Sequence, residues 1–472
     1  MKLAVVGGGI TGLAAAYRAA EVARERGVAL DLTLLEARDR LGGTIATERV
    51  DGFLVEAGPD SFLSEKPWAL ALCRRLGVED RLVRTDDRYR QVFVWRAGRL
   101  HPLPDGFQLL APTKLTPFLR SSLFSWPGKL RMALDLALPR GVADDESLGA
   151  FVRRRLGREA LERVAQPLVA GIYTADPDDL SLAATMPRFV EMERRERSLI
   201  LGLARASRRA PEEGTSGARW SLFVTFRDGM EDFVAALAAR LPAGAVQLKQ
   251  RVTGLERRGA GWRIATDGGG PLDADQVIVA SESHVAGRLL RYVDPALATL
   301  LGEIPYASSA TVSFGYRRAD VPHALDGFGI VVPRAEGRAL LACTFSSVKY
   351  PGRAPEGHAL LRCFVGGALN EAILALDDAA LVDRARDELR QALGITAPPV
   401  LTRVARWPKA MPQYHVGHLA RVETIERLAA ALPGLGLAGG AYRGVGIADC
   451  VRSGEAAAEQ ALAPARAGGG DA

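Results

Sequence analysis

A glycine-rich run near the N-terminus has the composition and the surroundings of a phosphate-binding turn. Gly7, Gly9 and Gly12 form the pattern G-x-G-x-x-G between a predicted apolar strand over residues 3–6 and a predicted helix over residues 11–26. Glycines at the first two positions allow a tight turn and a close approach of the backbone to a pyrophosphate, which then lies at the helix N-terminus. The third glycine lets the helix pack closely on the strand. The pattern therefore predicts a dinucleotide-binding βαβ unit.

An acidic residue and a second glycine pair follow the predicted second strand, residues 30–36. The carboxylate of Glu36 ends that strand, where it can accept hydrogen bonds from ribose hydroxyls and would repel a 2′-phosphate. NADP is therefore not expected. Arg40 and Gly43 follow in the run E-A-x-x-R-x-G-G, and such an element can clamp the same pyrophosphate from the other side. These residues alone leave NAD and FAD open.

The composition is that of a globular protein with several domains. The chain has 472 residues, of which 48% are hydrophobic and 25% charged, and its mean hydropathy is +0.04. These values exclude a disordered, fibrous or membrane-spanning chain. The net charge of +6 is too small an excess over this length to predict a nucleic-acid partner.

The cysteines and histidines predict no metal site, and the N-terminal region predicts no targeting segment. The four cysteines lie far apart without a C-x-x-C pair, which indicates buried thiols in a reducing compartment. His415 and His418 have a spacing that could bind a metal, but their stretch offers no cysteine or carboxylate partner. No secretory leader precedes the first strand, and no apolar run is long enough to span a bilayer. We therefore expect a cytoplasmic protein without an integral membrane segment.

The predicted elements divide the chain among three structural units. Strand and turn patterns like those of the N-terminal unit return over residues 435–440, before a helix that ends near Leu462. This recurrence predicts an α/β fold with a discontinuous Rossmann-like cofactor-binding domain, a mixed-sheet substrate domain and a helical lobe. The expected bounds are 1–98 (with the start of the substrate region), 220–295 and 405–463 for the cofactor-binding parts, 99–210 for the lobe, 296–404 for the substrate sheet and 464–472 for a disordered tail.

Several motifs resemble one family of flavoenzymes. The extension E-A-x-x-R-x-G-G is similar to that of FAD-dependent amine oxidases, carotene desaturases and porphyrinogen oxidases, so the resemblance favours FAD over NAD. Further stretches together resemble the oxygen-dependent protoporphyrinogen and coproporphyrinogen oxidases of haem biosynthesis. This resemblance extends in order over residues 2–462 and is carried by residues 51–62, 168–177, 197–200, 345–347, 411–418 and 444–450.

The resemblance implies where the discontinuous Rossmann-like domain binds FAD. The implied contacts fall in six groups, of which the first five are to the pyrophosphate, the adenosine ribose, the outer side of the phosphates, the flavin and the adenine. A final group closes over the ribityl chain and the isoalloxazine. The residues implied for the pyrophosphate are Gly7, Gly8, Gly9, Ile10, Thr11 and Gly12, those for the ribose are Glu36 and Ala37, and those for the outer side of the phosphates are Arg40 and Gly43. The residues implied along the flavin are Gly58, Pro59, Asp60 and Ser61, and Val252 is implied for the adenine. The closing residues are Trp407, Val445, Gly446 and Ile447.

The resemblance also implies a substrate site beside the flavin. The backbone carbonyl of Gly171 is expected near the centre of the macrocycle, where it can accept hydrogen bonds from pyrrole N–H groups. Lys66 and Arg90, together with Arg88, are candidate partners of substrate propionates. The apolar walls of the site are expected to be Ile330, Val332 and Phe345.

The implied reaction is oxidation of a porphyrinogen to a porphyrin with molecular oxygen as the acceptor. Six hydrogens leave the macrocycle, so a two-electron flavin must be reduced and reoxidised three times, with three molecules of hydrogen peroxide formed. Aromatisation drives the reaction, and the protein has mainly to orient the ring and exclude water. The resemblance further implies a transient contact with the next haem-pathway enzyme.

Substrate choice depends on carboxylates. Val92 stands where mitochondrial and plastid relatives have an arginine that anchors a protoporphyrinogen propionate. The sequence is more similar to the Gram-positive cytoplasmic type, so coproporphyrinogen III, with four propionates, is the expected substrate and protoporphyrinogen IX the alternative. A flavin amine oxidase, with Tyr442 in an aromatic cage, and a flavin-containing haem chaperone are two further candidate functions. The helical lobe resembles the part that touches membranes in organellar relatives, and its Arg-rich helices predict a soluble or loosely peripheral enzyme.

Overall fold

The computed structural model describes residues 1–108, 111–112, 114–141, 144–208 and 222–463. The predicted tail, residues 464–472, lies outside these ranges. The strands are β1 (Lys2–Val6), β2 (Asp31–Leu35), β3 (Thr47–Val50), β4 (Phe53–Glu56), β5 (Phe62–Leu63), β6 (Leu82–Arg84), β7 (Val92–Arg96), β8 (Arg99–Pro102), β9 (Phe107–Gln108), β10 (Ala111–Pro112), β11 (Phe223–Phe226), β12 (Val246–Gln247), β13 (Val252–Arg258), β14 (Gly261–Thr266), β15 (Leu272–Ala274), β16 (Gln276–Val279), β17 (Tyr306–Arg317), β18 (Gly329–Val331), β19 (Leu340–Phe345), β20 (His358–Gly366), β21 (Leu401–Pro412) and β22 (Leu435–Leu437).

The α-helices fall between these strands, with a concentration between β10 and β11. They are α1 (Ile10–Arg26), α2 (Pro67–Leu76), α3 (Leu115–Arg120), α4 (Trp126–Ala133), α5 (Leu148–Arg155), α6 (Arg158–Ala160), α7 (Gln166–Tyr173), α8 (Leu182–Thr185), α9 (Pro187–Glu196), α10 (Leu199–Arg208), α11 (Glu231–Ala238), α12 (Ser283–Leu290), α13 (Pro295–Gly302), α14 (Ser346–Lys349), α15 (Asp378–Leu393), α16 (His418–Ala430) and α17 (Ile447–Ala461).

A five-stranded parallel sheet forms the centre of the cofactor-binding domain. Its strand order is β12-β2-β1-β16-β22, so the sheet draws on the N-terminus, the middle and the C-terminus of the chain. β1 is buried over nearly its whole length, because helices cover both faces of a parallel sheet. The predicted α/β fold with a discontinuous Rossmann-like domain is confirmed.

The first and the last long helices pack against each other at small residues. A Cβ on Gly454 of α17 would lie 2.2 Å from the carbonyl oxygen of Thr11 in α1. A Cβ on Gly12 would lie 1.9 Å from the carbonyl oxygen of Gly7, which is the close packing that the third glycine of the motif predicted. The N-termini of both helices are therefore held at the same end of the parallel sheet.

A seven-stranded mixed sheet forms the second domain, in the order β21-β17-β20-β19-β18-β7-β8. It includes β7 and β8 and continues to Pro412, so it takes residues from both parts of the chain that flank 296–404. One face is apolar and packs against α15 in a shared core. The other face carries Thr311, Ser313 and Arg362 and is turned toward the cofactor-binding domain, where Thr311 and Arg362 hydrogen-bond to the carbonyl of Ala57.

Helices α3 to α10 form the lobe, around a core of its own. A buried ion pair lies inside it, with Arg155 Nε 2.7 Å from Asp135 Oδ1. Arg155 also donates to the carbonyls of Pro139 and Arg197, so its donors are matched in the interior. Within the described ranges, none of the helices combines the length and the apolarity needed to cross a bilayer.

Candidate functional site

The glycine-rich turn between β1 and α1 forms a cradle of backbone, with glycines at positions 7, 8 and 9. Gly7 has φ +108°, and a Cβ there would lie 2.6 Å from the carbonyl oxygen of Ala280. Gly9 precedes α1 and cannot supply a side-chain cap, so the first N–H groups of the helix remain available to an anion. Gly9 faces Gly43, at 3.2 Å from the Cβ that a larger residue at 43 would carry. The two glycine pairs thus face each other, which fits a pyrophosphate.

Glu36 lies beside this cradle and is already held by the backbone. Its carboxylate accepts hydrogen bonds from Gly8 N at 2.7 Å and from Arg38 N at 2.8 Å. A carboxylate has about four acceptor sites, so capacity for ribose hydroxyls remains. The segment before β13 runs alongside, since Gln250 N donates to the Glu36 carbonyl, and Val252 follows it as the first residue of β13.

Arg40 organises its own loop. Its guanidinium donates to the carbonyls of Leu41, Gly43 and Ile45 at 3.1, 2.8 and 2.9 Å. These bonds fix the second glycine pair opposite Gly9. The structure thus gives Arg40 an indirect way of shaping the phosphate site, and a direct phosphate contact stays a prediction.

The loop that begins at Ala57 is held by the mixed sheet. The Ala57 carbonyl accepts hydrogen bonds from Trp407 Nε1 at 2.9 Å, Thr311 Oγ1 at 3.2 Å and Arg362 Nη2 at 3.2 Å. The same Nη2 also donates to the carbonyl of Gly58. The sequence predicted this loop to lie along the flavin. Trp407 was predicted to close over the flavin, and its indole nitrogen donates a hydrogen bond to the backbone of the loop.

Asp60 and Ser61 continue this loop into a partly buried group of charges. The Asp60 carboxylate accepts from Ser61 Oγ at 2.7 Å and lies 3.3 Å from Lys349 Nζ. Burial alone would raise the pKa of Asp60, but Lys349 and Arg362 outweigh it and hold that pKa at about 2. Asp60 is therefore charged at neutral pH, beside the predicted flavin position.

The C-terminal turn that precedes α17 is fixed by two aromatic side chains. Tyr414 OH donates to the Gly440 carbonyl at 2.6 Å and accepts from Gly444 N at 2.8 Å. The ring of His418 stacks on Tyr414 with centroids 3.9 Å apart, and its Nε2 lies 2.8 Å from the Tyr442 carbonyl. Both side chains therefore position the turn.

This turn leads to a second open helix N-terminus. Val445 is half-buried, Gly446 is exposed, and Ile447 begins α17 as a buried residue. Gly446 supplies no side-chain cap, so the first N–H groups of α17 can face an electron-rich ring edge. Together with the open end of α1, this geometry fits a dinucleotide with a flavin at its far end.

Lys66 and the end of α7, which carries Gly171, lie near the start of α17. Lys66 Nζ is 2.5 Å from Asp449 Oδ2, in the first turn of α17. Burial, and next the charge of Asp449, raise the pKa of Tyr173 to about 12, which places the end of α7 near this ion pair. Gly171 is exposed in the last turn of α7, where carbonyls lack intrahelical partners. A Cβ on Gly171 would meet none of the described atoms within 4 Å.

The three predicted apolar walls are on the wrong face of the mixed sheet. Ile330, Val332 and Phe345 are 4%, 7% and 0% exposed and belong to the core shared with α15. Side chains alternate between the faces of a strand, so an error of one residue moves every prediction to the opposite face. The face toward the cofactor domain instead carries residues such as Val331 and Phe364, which pack against the lobe core.

The candidate arginines near β7 are at the surface. Arg88 is 77% exposed and pairs with Asp86 at 2.6 Å, and Arg90 is exposed as well. Lys66, the third candidate cation, lies instead against Asp449 at the start of α17. The role of the two arginines as propionate partners stays a prediction.

Sequence reasoning missed four residues that build the site: Thr311, Arg362, Tyr414 and Asp449. One of them carried a visible signal. Arg362 interrupts the apolar run A-L-L-R-C-F-V in β20, and a charged residue inside a buried strand is retained only with specific partners. The others depend on contacts between distant parts of the chain.

The fold and the cradle define a flavin-dependent oxidoreductase. A model of the flavin containing amine oxidoreductases matches residues 10–462. The chain is 39% identical to the coproporphyrinogen III oxidase of Bacillus subtilis, over 97% of each chain. It is 32% identical to protoporphyrinogen oxidase 1 of Arabidopsis thaliana, over 95% of this chain and 85% of that protein.

A solved structure agrees with these similarities. An Exiguobacterium protein described as a protoporphyrinogen oxidase superimposes with a TM-score of 0.85 at 34% identity, over 97% of this chain and 98% of that one. The chain belongs to the flavin containing amine oxidoreductase family, in the group that holds the coproporphyrinogen III and protoporphyrinogen oxidases. The resemblance carried by the sequence motifs, and the FAD cofactor it implied, are confirmed.

Substitution of Gly58 tests the loop that is predicted to lie along the flavin. A Cβ at this position would lie 1.7 Å from the carbonyl oxygen of Thr44, so Gly58→Ala must displace one of the two backbones. We expect FAD retention to fall by about tenfold or more, which corresponds to ~1.4 kcal/mol. The ratio of flavin absorbance to protein in the purified variant measures this. Gly270→Ala is the matched control, because its Cβ would meet none of the described atoms within 4 Å, and an equal loss there would contradict the prediction.

His418 makes stability depend on pH. Burial lowers its pKa to about 4, below the ordinary value of about 6.5 in an unfolded chain. Between these values the unfolded chain binds more protons, so stability falls as the pH decreases through this window. The full effect is about 3 kcal/mol.

Urea unfolding from pH 7 to pH 4.5 measures this slope. His418→Gln should flatten it, whereas His415→Gln keeps His418 and should keep the slope. Asp60 does not confound the comparison, because a carboxylate with a depressed pKa of about 2 loses its contribution only at lower pH. Equal slopes in the wild type and His418→Gln would refute the assignment.

Proposed function

We propose that the chain oxidises coproporphyrinogen III to coproporphyrin III, with FAD as cofactor and molecular oxygen as acceptor. The observation that carries this proposal is the end-to-end similarity to a coproporphyrinogen III oxidase at 39% identity. The open helix termini of α1 and α17 and the held loop at Ala57 support it, because they suit a flavin dinucleotide in an extended conformation.

The chain's own residues then have to orient the macrocycle. FAD, when bound, accepts a hydride from the substrate. The exposed carbonyl of Gly171 can accept hydrogen bonds from pyrrole N–H groups, since its helical turn leaves it without an intrahelical partner. Lys66, which is 40% exposed beside Asp449 at the start of α17, can bind a propionate by sharing its charge between that carboxylate and Asp449. Positioning of this kind is what hydride transfer requires.

Val92 supports coproporphyrinogen over protoporphyrinogen. It is the first residue of β7 and offers no charge at the position of the organellar arginine. Protoporphyrinogen IX remains the alternative substrate, in line with the Arabidopsis relative. An amine oxidase is disfavoured, because Tyr442, the proposed cage residue, is 5% exposed and packs in the core with Val422 and Ile425.

We also infer that the enzyme associates with membrane surfaces and passes its product to the next haem-pathway enzyme by transient contact. The membrane inference is supported by an apolar patch on the lobe, defined by large side chains that are 38% to 69% exposed. Lys129 Nζ lies 4.7 Å above the Trp126 ring and donates to the Leu119 carbonyl, which joins α4 to α3 within the patch. Its members are Leu115, Leu119, Trp126, Leu130, Leu134 and Leu136.

Porphyrin fluorescence under air tests the enzymatic proposal. We expect faster oxidation of coproporphyrinogen III than of protoporphyrinogen IX by the flavin-loaded protein. Lys66→Met should raise KM for coproporphyrinogen about fivefold, equivalent to ~1 kcal/mol for a partly exposed ion pair. Lys66→Met/Asp449→Asn separates the lost attraction from the uncovered Asp449 charge. Lys114→Met, which removes an exposed lysine paired with Asp105, is the control. Absence of porphyrin from either substrate would refute the function.

Cosedimentation with lipid vesicles tests the membrane inference. Vesicles containing phosphatidylglycerol should bind the wild type, and Trp126→Ser/Leu130→Ser should reduce the bound fraction at least threefold, because two of the most exposed apolar side chains are lost. Tyr292→Ser removes an 83% exposed aromatic residue outside the lobe and should leave binding unchanged. Equal binding of all three proteins would contradict the inference.

A further inference from the structure

Arg362 is a buried cation whose charge is not matched by a carboxylate. The residue is 5% exposed, and its Nη2 donates to the carbonyls of Ala57 and Gly58. Its Nε is buried without a hydrogen-bond partner among the described residues. Within the same ranges, no carboxylate forms an ion pair with it at 4 Å or less, whereas the neighbouring Lys349 has Asp60 at 3.3 Å.

The carboxylates nearest to Arg362 are engaged by other cations. Asp60 acts on Arg362 through space, but it is already paired with Lys349. Glu56 is the second nearby carboxylate, and it lies 3.9 Å from Arg353. Asp228 also acts on Arg353. Among these three cations, Arg362 is the one for which the described residues provide no carboxylate within 4 Å. A buried charge without a counter-ion is costly and is retained where a ligand supplies the opposite charge.

The position of Arg362 indicates which ligand supplies the counter-charge. Arg362 lies on the face of the mixed sheet that is turned toward the cofactor domain, behind the backbone of the Ala57–Gly58 segment. Two backbone carbonyls hold its guanidinium there, and the guanidinium lies 4.8 Å from the Phe364 ring. Lys66, by contrast, is 40% exposed and can meet a carboxylate that enters from solvent. Arg362 is therefore placed to face a bound cofactor, and not a substrate that enters from solvent.

We propose that Arg362 is a positioning residue that holds the loop beginning at Ala57 and supplies the counter-charge of the reduced cofactor. This rests on the FAD-dependent hydride transfer of the proposed function. When the bound flavin accepts a hydride, it gains two electrons and one proton and hence one negative charge, while the substrate loses the same hydride. No bond to Arg362 forms or breaks. The positive charge of Arg362 stabilises the reduced state over the oxidised state.

The midpoint potential of the bound flavin tests this, because a merely structural role would not move it. Flavin-loaded wild type and Arg362→Met are reduced anaerobically in equilibrium with a reference dye. We expect the ratio of reduced to oxidised flavin at a given potential to fall at least tenfold in the variant, which corresponds to about 30 mV for a two-electron couple. Arg362→Lys retains the charge and should stay within threefold of the wild type.

Two further variants keep the test decisive. Arg362→Gln keeps N–H donors for the carbonyls but no charge, so it replaces Arg362→Met if that variant does not retain FAD. Arg338→Met removes a partly buried arginine that pairs with Glu388 on the opposite face of the sheet at 2.6 Å, and its flavin potential should equal that of the wild type.

The outcomes separate this inference from the proposed function. A wild-type potential in Arg362→Met, or an equal loss in Arg362→Lys, would overturn the counter-charge. An increase in KM for the porphyrinogen without a change in potential would also overturn it, since Arg362 would then serve a substrate carboxylate. The potential is measured without substrate, so a shift in a protein that fails to oxidise porphyrinogens would refute the proposed reaction and leave the role of Arg362 standing.

Discussion

The carbonyl group of Ala57 joins the loop after β4 to the mixed sheet. Three donors from three strands of the mixed sheet, Thr311, Arg362 and Trp407, converge on this one oxygen. The neighbouring Gly58 cannot carry a Cβ, because it would collide with the backbone of Thr44. The mixed sheet on one side and the backbone of Thr44 on the other therefore fix the position of this segment. Since the same segment is predicted to run along the flavin, we expect these hydrogen bonds to set the distance between the cofactor and this face of the mixed sheet.

Local sequence predicted the part of the site in which neighbours in the chain are neighbours in space. The turn ending at Gly12 and the strand ending at Glu36 form one βαβ unit, so their spacing alone determines their relative position. The mixed sheet is different. Ile330, Val332 and Phe345 were predicted to face the substrate and face α15 instead, because short apolar strands buried on both sides show no alternation from which the orientation could be inferred.

Local sequence patterns could not predict the residues that position the turn before α17 either. Tyr414 and His418 come from the end of β21 and the start of α16, and they hold carbonyls and an amide of a turn that follows later in the chain. Asp449 reaches back to Lys66 across most of the sequence. The overall α/β architecture was predictable because periodicity and glycine turns are local features. The residues that support the turn before α17 come together only when the discontinuous pieces of the cofactor domain meet.

The site also fixes the protonation states of groups that border it. The pKa of Asp60 is held at about 2, that of His418 at about 4 and that of Tyr173 is raised to about 12. At neutral pH these groups are a carboxylate, a neutral imidazole and a phenol, and none of the three exchanges protons readily near pH 7. They provide a constant electrostatic field in place of an acid and a base. A constant field suits hydride transfer from a ring that gains aromaticity, because the barrier then depends mainly on orientation and on stabilisation of the charge that the cofactor acquires.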